Sequence, residues 1–164
     1  MEQIYLLKLY GKLANSESFA KVDIRWLNQV DQHKWYLGLN GYPFAYIKHT
    51  MGGTSRVPLH RYIHWLQKGY WTDLYVDHIN RDKLDATEQN LREATAAENS
   101  YNKTHTNPDH NIKYNESKKK YEVKITKNKI LHKIDNIESL IEARNIYKLM
   151  AEELFGNFAP NQVV

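Results

Sequence analysis

Asp77 and His78 stand side by side, Asn90-Leu91-Arg92 follows after a polar loop, and Glu98-Asn99 comes next. In that order the chain offers a carboxylate, an imidazole, an amide able to brace and a second oxygen donor. Hydrolysing a phosphodiester requires a deprotonated water aimed at phosphorus and a cation that stabilises charge on the phosphoryl and leaving oxygens. An imidazole with an unperturbed pKa near ~6.5 is a workable base at neutral pH. Hard donors such as the Asp77 carboxylate and the Asn99 amide carbonyl suit Mg²⁺ or Mn²⁺ better than Zn²⁺.

Local structure must bring these positions together. Tyr75-Val76 is expected to end a strand that delivers Asp77 and His78 into a loop, with Asn90 to Glu93 as a short return strand. Thr95 with Glu98 three residues later is a capping box, so the spacing predicts a helix that carries Asn99 and Asn102 on neighbouring turns.

The segments Val76-Asp77-His78-Ile79-Asn80, Asn90-Leu91-Arg92 and Thr95 to Asn102, preceded by Leu59-His60-Arg61, resemble the HNH endonuclease family in its phage and intron-encoded homing form. The resemblance implies a strand, strand, helix clasp around one divalent ion, Mg²⁺ with Mn²⁺ able to substitute. It implies Asp77 and Asn99 as ligands and His78 as general base. Asn90 would orient the His78 ring or pin the loop, because a neutral imidazole works as a base only when its other nitrogen is held in the right tautomer. His60 and Arg61 would lie beside the site and touch a phosphate. Arg81 stands where the family often has Gly, and Asp85-Ala86 where paired Asn is frequent. Both departures bear on the conformation of the 80–88 loop.

Pro58 to Lys68 is expected to be a short helix with Pro at its start and Gly69 at its end, which puts His60 and His64 at i and i+4 on one face. That spacing can bind zinc, but the chain has no cysteine and no third ligand is evident nearby. Packing or the DNA surface is the expected role of His64 and Trp65.

At 164 residues the chain has room for one domain or two small ones. A net charge of +4 and a pI near 9.1 fit a polyanionic partner. Lack of cysteine excludes disulfides and cysteine-based zinc fingers and agrees with a reducing compartment. No apolar run approaches the ~20 residues of a membrane span, and Glu2 with Lys8 interrupts any signal-peptide pattern. The expected location is therefore cytoplasmic, by resemblance that of a phage-encoded protein in a bacterial host, with no membrane partner.

Residues 1–57 carry the weakest pattern. Val22 to Val30 predicts a short helix, His33 to Leu39 and Tyr42 to Lys48 predict strands around the Asn40-Gly41 turn, and Met51-Gly52-Gly53-Thr54 predicts a second turn. Lys34, Lys48 and Arg56 are candidate phosphate contacts. Beyond a polar, Pro-containing stretch at 103–110, three strands are expected at Asn111–Asn115, Lys120–Thr126 and Lys129–Ile134, followed by a helix from Glu138 to Phe155 started by Asn136 or Ser139 and stopped by Gly156. On the middle strand Tyr121, Val123 and Ile125 alternate with Lys120, Glu122, Lys124 and Thr126, giving an apolar face for the helix and a polar one for DNA. Lys113, Lys118, Lys119, Lys120, Lys124, Lys127, Lys129 and Lys133 crowd these strands, whereas Glu138, Glu142, Glu152 and Glu153 favour the helix. This unit resembles the Apetala-type DNA-binding domain, from Asn111-Ile112 through Tyr121-Glu122-Val123-Lys124-Ile125 to Leu154-Phe155-Gly156-Asn157-Phe158-Ala159. The resemblance implies a sheet that enters the major groove. Lysine holds a phosphate better than it identifies a guanine, for want of arginine's planar fork.

The expected fold class is α+β: a ββα-metal (HNH) nuclease core at 58–106, preceded by a small antiparallel β unit at 1–57 and followed by a three-stranded sheet packed on one helix at 107–164. The expected function is a metal-dependent, homing-type DNA endonuclease that nicks or cuts double-stranded DNA as a monomer or homodimer. Its expected DNA contacts are the eight lysines above with Asn102 and Lys103. The alternatives are a non-catalytic DNA-binding regulator and a nonspecific nuclease. Intact Asp77, His78 and Asn99 disfavour the first, and a dedicated reading module disfavours the second.

Overall fold

The computed structural model describes residues 3–48, 50, 52–102 and 107–159. It is a mixed α/β structure of small antiparallel sheets and short helices, and the chain divides into two compact units, Met1–Ala96 and Ala97–Val164.

In the first unit β1 (Ile4–Lys8) pairs antiparallel with β2 (Phe19–Asp23). Ala20 and Val22 alternate inward and are fully buried, and this draws Val22 and Asp23 into a strand rather than into the helix expected over Val22–Val30. Only Leu27–Val30 forms that helix, α1, after one 3₁₀ turn at Ile24–Trp26. A three-stranded sheet follows, β3 (Tyr36–Leu37), β4 (Pro43–Lys48) and β5 (Thr54–Pro58), in that spatial order. The expected His33–Leu39 strand shrinks to two residues. Thr54, expected in a turn, instead opens β5, where it pairs with Lys48. The Asn40-Gly41 turn forms with Gly41 at φ 80°, a left-handed conformation that glycine adopts without a Cβ penalty.

Helix α2 (Leu59–Lys68) runs directly out of β5. Pro58 sits at its N-cap, and Gly69 ends it in the left-handed region, donating its N–H to the Trp65 carbonyl. Leu59, Tyr62 and Ile63 recur at helical spacing and are buried. Burial of a side chain such as Leu59 or Ile63 stabilises the fold by about 1.5–3 kcal/mol. The hairpin β6 (Tyr75–His78) and β7 (Leu91–Ala94) then sets Asp77 opposite Arg92 and His78 opposite Leu91. One core joins Leu7, Val22, Trp35, Ala45, Leu59, Ile63, Val76 and Leu91. The division expected at residue 57 therefore falls inside a single core.

Helix α3 (Ala96–Tyr101) begins at the unit boundary, and Tyr101 stacks on Phe155 with ring centroids 4.2 Å apart. That contact places the end of α3 with the second unit, ahead of the boundary expected at 106/107. The second unit forms the sheet β8 (Ile112–Asn115), β9 (Lys120–Lys127) and β10 (Ile130–Ile137), with β9 central, and α4 (Leu140–Phe155). Ser139 caps α4 by accepting from the Glu142 N–H at 3.1 Å, so Glu138 lies ahead of the helix. Val123 and Ile125 pack with Ala143, Tyr147 and Ala151, the face predicted from the alternation. None of the described helices is long and apolar enough to cross a membrane.

Candidate active site

Strand β6 ends on Asp77 and His78, both buried, at 8% and 3% exposure. The cross-strand partner of Asp77 is Arg92, whose Nε and Nη2 donate to Asp77 Oδ2 at 3.0 and 2.8 Å. This pairing uses two of the about four acceptor positions of a carboxylate and holds Asp77 against the hairpin. A lone buried carboxylate would be costly.

The His78 ring is flanked by two other rings, His60 with centroids 4.9 Å away and Tyr42 at 5.7 Å, and Tyr42 lies 5.0 Å from His60. Burial pushes His78 below its ordinary pKa, partly opposed by the carboxylates of Asp77, Asp82 and Asp85. Burial, with His78 and Arg61 nearby, pushes His60 down to about 3. Both rings are therefore neutral at physiological pH, the state a proton acceptor needs. The Nδ1 of His60 is buried with no hydrogen-bond partner among the described residues.

Asn90 is buried and spends its amide on the loop: Oδ1 accepts from the Asn80 N–H at 2.9 Å, and Nδ2 donates to the Asp85 carbonyl at 2.7 Å. Of the two tasks open to it, these bonds perform loop pinning. Within that loop Arg81 stands at φ 65°, the left-handed region that favours glycine. The conformation is the one expected where the family resemblance implies Gly, although a side chain is present. Lys83 donates to the Asn40 carbonyl at 2.9 Å and lies 4.9 Å from the Tyr42 ring centre.

Arg61, the expected phosphate contact, also makes two bonds within the chain. Its guanidinium donates to the carbonyls of Leu74 and Thr72, which ties the loop after α2 back onto the helix. His64 is buried with Nε2 3.4 Å from Glu93 Oε1, while His60 packs on Tyr42 and His78. The two histidines of α2 thus serve different neighbours. Among the described residues no group of three or more His, Cys, Asp or Glu side chains is assembled to hold a metal. A single carboxylate with an amide oxygen suits a hard ion that keeps several waters, as Mg²⁺ does, so the donor chemistry of Asp77 and Asn99 fits such an ion. Asn99 is half-buried on α3 and Asn102 is buried just after it. Both belong to the second unit, one residue, Thr95, separating β7 from α3. Lys103 lies outside the described residues.

Tyr42 and Lys83 were not expected from the residue pattern. Only the Asn40-Gly41 turn immediately before Tyr42 signalled that the chain reverses there, and nothing local says what its ring meets.

The eight candidate DNA-binding lysines divide. Lys119 pairs with Glu116, Lys120 with Glu138, Lys124 with Glu122, and Lys133 with both Glu122 and Asp135. Lys127 donates to the Leu154 carbonyl. Lys113, Lys118 and Lys129 are exposed. Glu122 sits amid the polar face of the sheet, its carboxyl held below the usual range first by Lys124 and then by Lys133. The acidic residues are thus shared between strands and helix, a departure from the expected separation of charge. Surface pairs of this kind contribute little, so a phosphate can compete for these lysines.

An HNH endonuclease family model matches residues 57–101, which span α2, the β6–β7 hairpin and α3. The chain is also 37% identical over 166 residues to an uncharacterised HNH endonuclease of Acanthamoeba polyphaga mimivirus, an alignment covering 99% of this chain and 84% of that relative. No solved structure matches the chain significantly. With a buried imidazole beside a paired carboxylate at the end of a hairpin, the chain belongs to the HNH endonuclease family. It is a nuclease, a phosphodiester hydrolase.

Proposed function

We propose that the protein is a metal-dependent, site-specific DNA endonuclease of the homing type, acting on double-stranded DNA as a monomer or homodimer. The observation that carries this reading is the neutral, buried His78 beside Asp77, walled by His60 and Tyr42. His78 accepts a proton from water as the water oxygen bonds to phosphorus and the bond from phosphorus to the 3′-oxygen breaks. Asp77 and Asn99 would hold Mg²⁺, which when bound supplies charge stabilisation on the phosphoryl and leaving oxygens. Arg92 fixes the Asp77 carboxylate, and Asn90 fixes the loop behind His78. Tyr42 and His60 exclude water from two sides of the base. The segment from residue 107 onward serves as an Apetala-type reading module, its lysines exchanging their carboxylate partners for phosphates, with Asn102 and Lys103 as further contacts.

The test is cleavage of supercoiled plasmid. The wild type should cut with Mg²⁺ or Mn²⁺ and stop in chelator, and His78→Ala should lose at least the ~10²-fold of a general base while still binding DNA. Cleavage by His78→Ala at the wild-type rate would refute the assigned base, and robust cutting in excess chelator would refute the metal.

A further inference from the structure

Tyr42 enters the site from outside the segment that the family model matches, carried there by the turn ahead of β4. That turn is held at three points: the Gly41 N–H donates to the Gly38 carbonyl at 2.9 Å, the Gly38 N–H to the Tyr42 carbonyl at 3.1 Å, and the Tyr42 N–H to Asn40 Oδ1 at 3.3 Å. The Tyr42 ring completes a cluster with His60 and His78, its centroid 5.0 and 5.7 Å from theirs. Packing of that kind needs only a ring, which phenylalanine would also supply. Tyr42 is half-buried, and its hydroxyl makes no hydrogen bond among the described residues. A buried phenol usually finds a partner, so this one is a donor available to a ligand. Burial and the field of the Asp77 carboxylate raise its pKa, which keeps the proton on the oxygen.

Lys83 stands over the same ring, its Nζ 4.9 Å from the ring centre and 2.9 Å from the Asn40 carbonyl to which it donates. A Cβ at Gly41 would meet Lys83 Cδ at 3.4 Å and Nζ at 3.8 Å, so the side chain lies along the turn that delivers Tyr42. An ammonium has three donors, and a carbonyl takes one without neutralising the charge. No carboxylate pairs with Lys83 among the described residues, whereas the nearby Asp82 and Asp85 lie 3.7 and 3.8 Å from Lys21. Water attacking phosphorus adds negative charge to the non-bridging oxygens while the bond to the 3′-oxygen breaks, and donors fixed beforehand stabilise that charge most. A phenol and an ammonium held beside His78 are donors of that kind.

We propose that Tyr42 is a catalytic residue: its hydroxyl donates a hydrogen bond to a non-bridging oxygen of the scissile phosphate, and the Lys83 ammonium beside its ring binds the same phosphate. Neither group gives up its proton. The proposal rests on the reading of the chain as a nuclease with His78 as its base.

The experiment compares full-length wild type, Tyr42→Phe and Lys83→Met with Mg²⁺ on supercoiled plasmid and on bis(para-nitrophenyl) phosphate, a small diester that offers a phosphate without the rest of DNA. Tyr42→Phe keeps the ring and removes the donor. It should lower kcat by about tenfold or more on both substrates and leave KM within about twofold, because the bond strengthens as charge develops. Its melting curve, and its affinity for duplex DNA in chelator, should match wild type. Lys83→Met keeps the stem, removes the charge and should lower kcat/KM on both substrates by about tenfold. Wild-type kcat in Tyr42→Phe would overturn the proposal. So would slowing confined to the plasmid, which would place Tyr42 on DNA away from the reacting phosphate, or slowing accompanied by a lower melting temperature, which would make the hydroxyl structural. Unchanged kcat/KM in Lys83→Met would remove Lys83 from the phosphate. Failure of the nuclease reading shows separately, as wild-type protein that hydrolyses neither substrate with Mg²⁺.

Discussion

Replacing Asn90 with alanine tests whether this residue acts on the loop or on the chemistry. The change removes the acceptor of the Asn80 N–H and the donor to the Asp85 carbonyl, bonds of 2.9 and 2.7 Å made by a side chain only 7% exposed. At about 0.5–1.5 kcal/mol net per bond the loss is about 1–3 kcal/mol. In a unit the size of Met1–Ala96, each kcal/mol moves the melting temperature by about 4–8 °C, so a fall of roughly 4–24 °C is expected. All four tryptophans, Trp26, Trp35, Trp65 and Trp71, lie in this unit. Intrinsic tryptophan fluorescence during heating therefore reports its unfolding without the second unit, which matters because a two-unit chain need not melt in one step. Cleavage should fall in parallel, since the released loop carries Asp82, Lys83 and Asp85 around His78. An Asn90→Ala protein that melts within roughly 1 °C of wild type yet fails to cut would refute loop pinning and place Asn90 in the chemistry.

The other predictions concern His60 and Gly38. His60 titrates near its ordinary value when unfolded and at about 3 when folded. Between those values the unfolded chain binds the extra proton, so the stabilisation is present above pH ~6.5 and is lost as pH falls toward 3, by up to about 1.4 kcal/mol per pH unit. Melting curves at pH 7 and pH 5 should show this fall, and His60→Gln should flatten it; an unchanged slope in that variant would contradict the burial of a neutral ring. A Cβ at Gly38 would stand 2.9 Å from both Arg56 Nη2 and Asn40 Oδ1 and 3.0 Å from the Tyr42 carbonyl oxygen. The two side-chain ends can swing away, but the carbonyl cannot. Gly38→Ala should therefore shift Tyr42 by a few tenths of an ångström and slow cleavage by less than the ~10²-fold expected of a 1 Å misplacement, with wild-type kinetics as the outcome that would remove Tyr42 from the site.

The residue pattern alone determined the elements whose signals are local. Pro58 and Gly69 bracket α2, the alternation of Tyr121, Val123 and Ile125 names the face that α4 covers, and Ser139 caps α4, because a cap, a breaker or a period-two strand acts within a few residues of itself. The order Asp77-His78, Asn90, Asn99 pointed to the family for the same reason: the chemistry requires those types whatever surrounds them. Tertiary structure decided everything that depends on a partner distant in the chain. Val22 became a strand residue because Tyr5 lies across from it and the core takes its side chain. Arg61 tied the carbonyls of Leu74 and Thr72 back to α2, and Tyr42 reached His78 from the turn ahead of β4. Half the candidate lysines met carboxylates, those of Glu116, Glu122, Asp135 and Glu138, pairings that the positions of the lysines on the strands do not specify. A side chain's neighbours depend on how elements pack together, and no local window of sequence contains that packing.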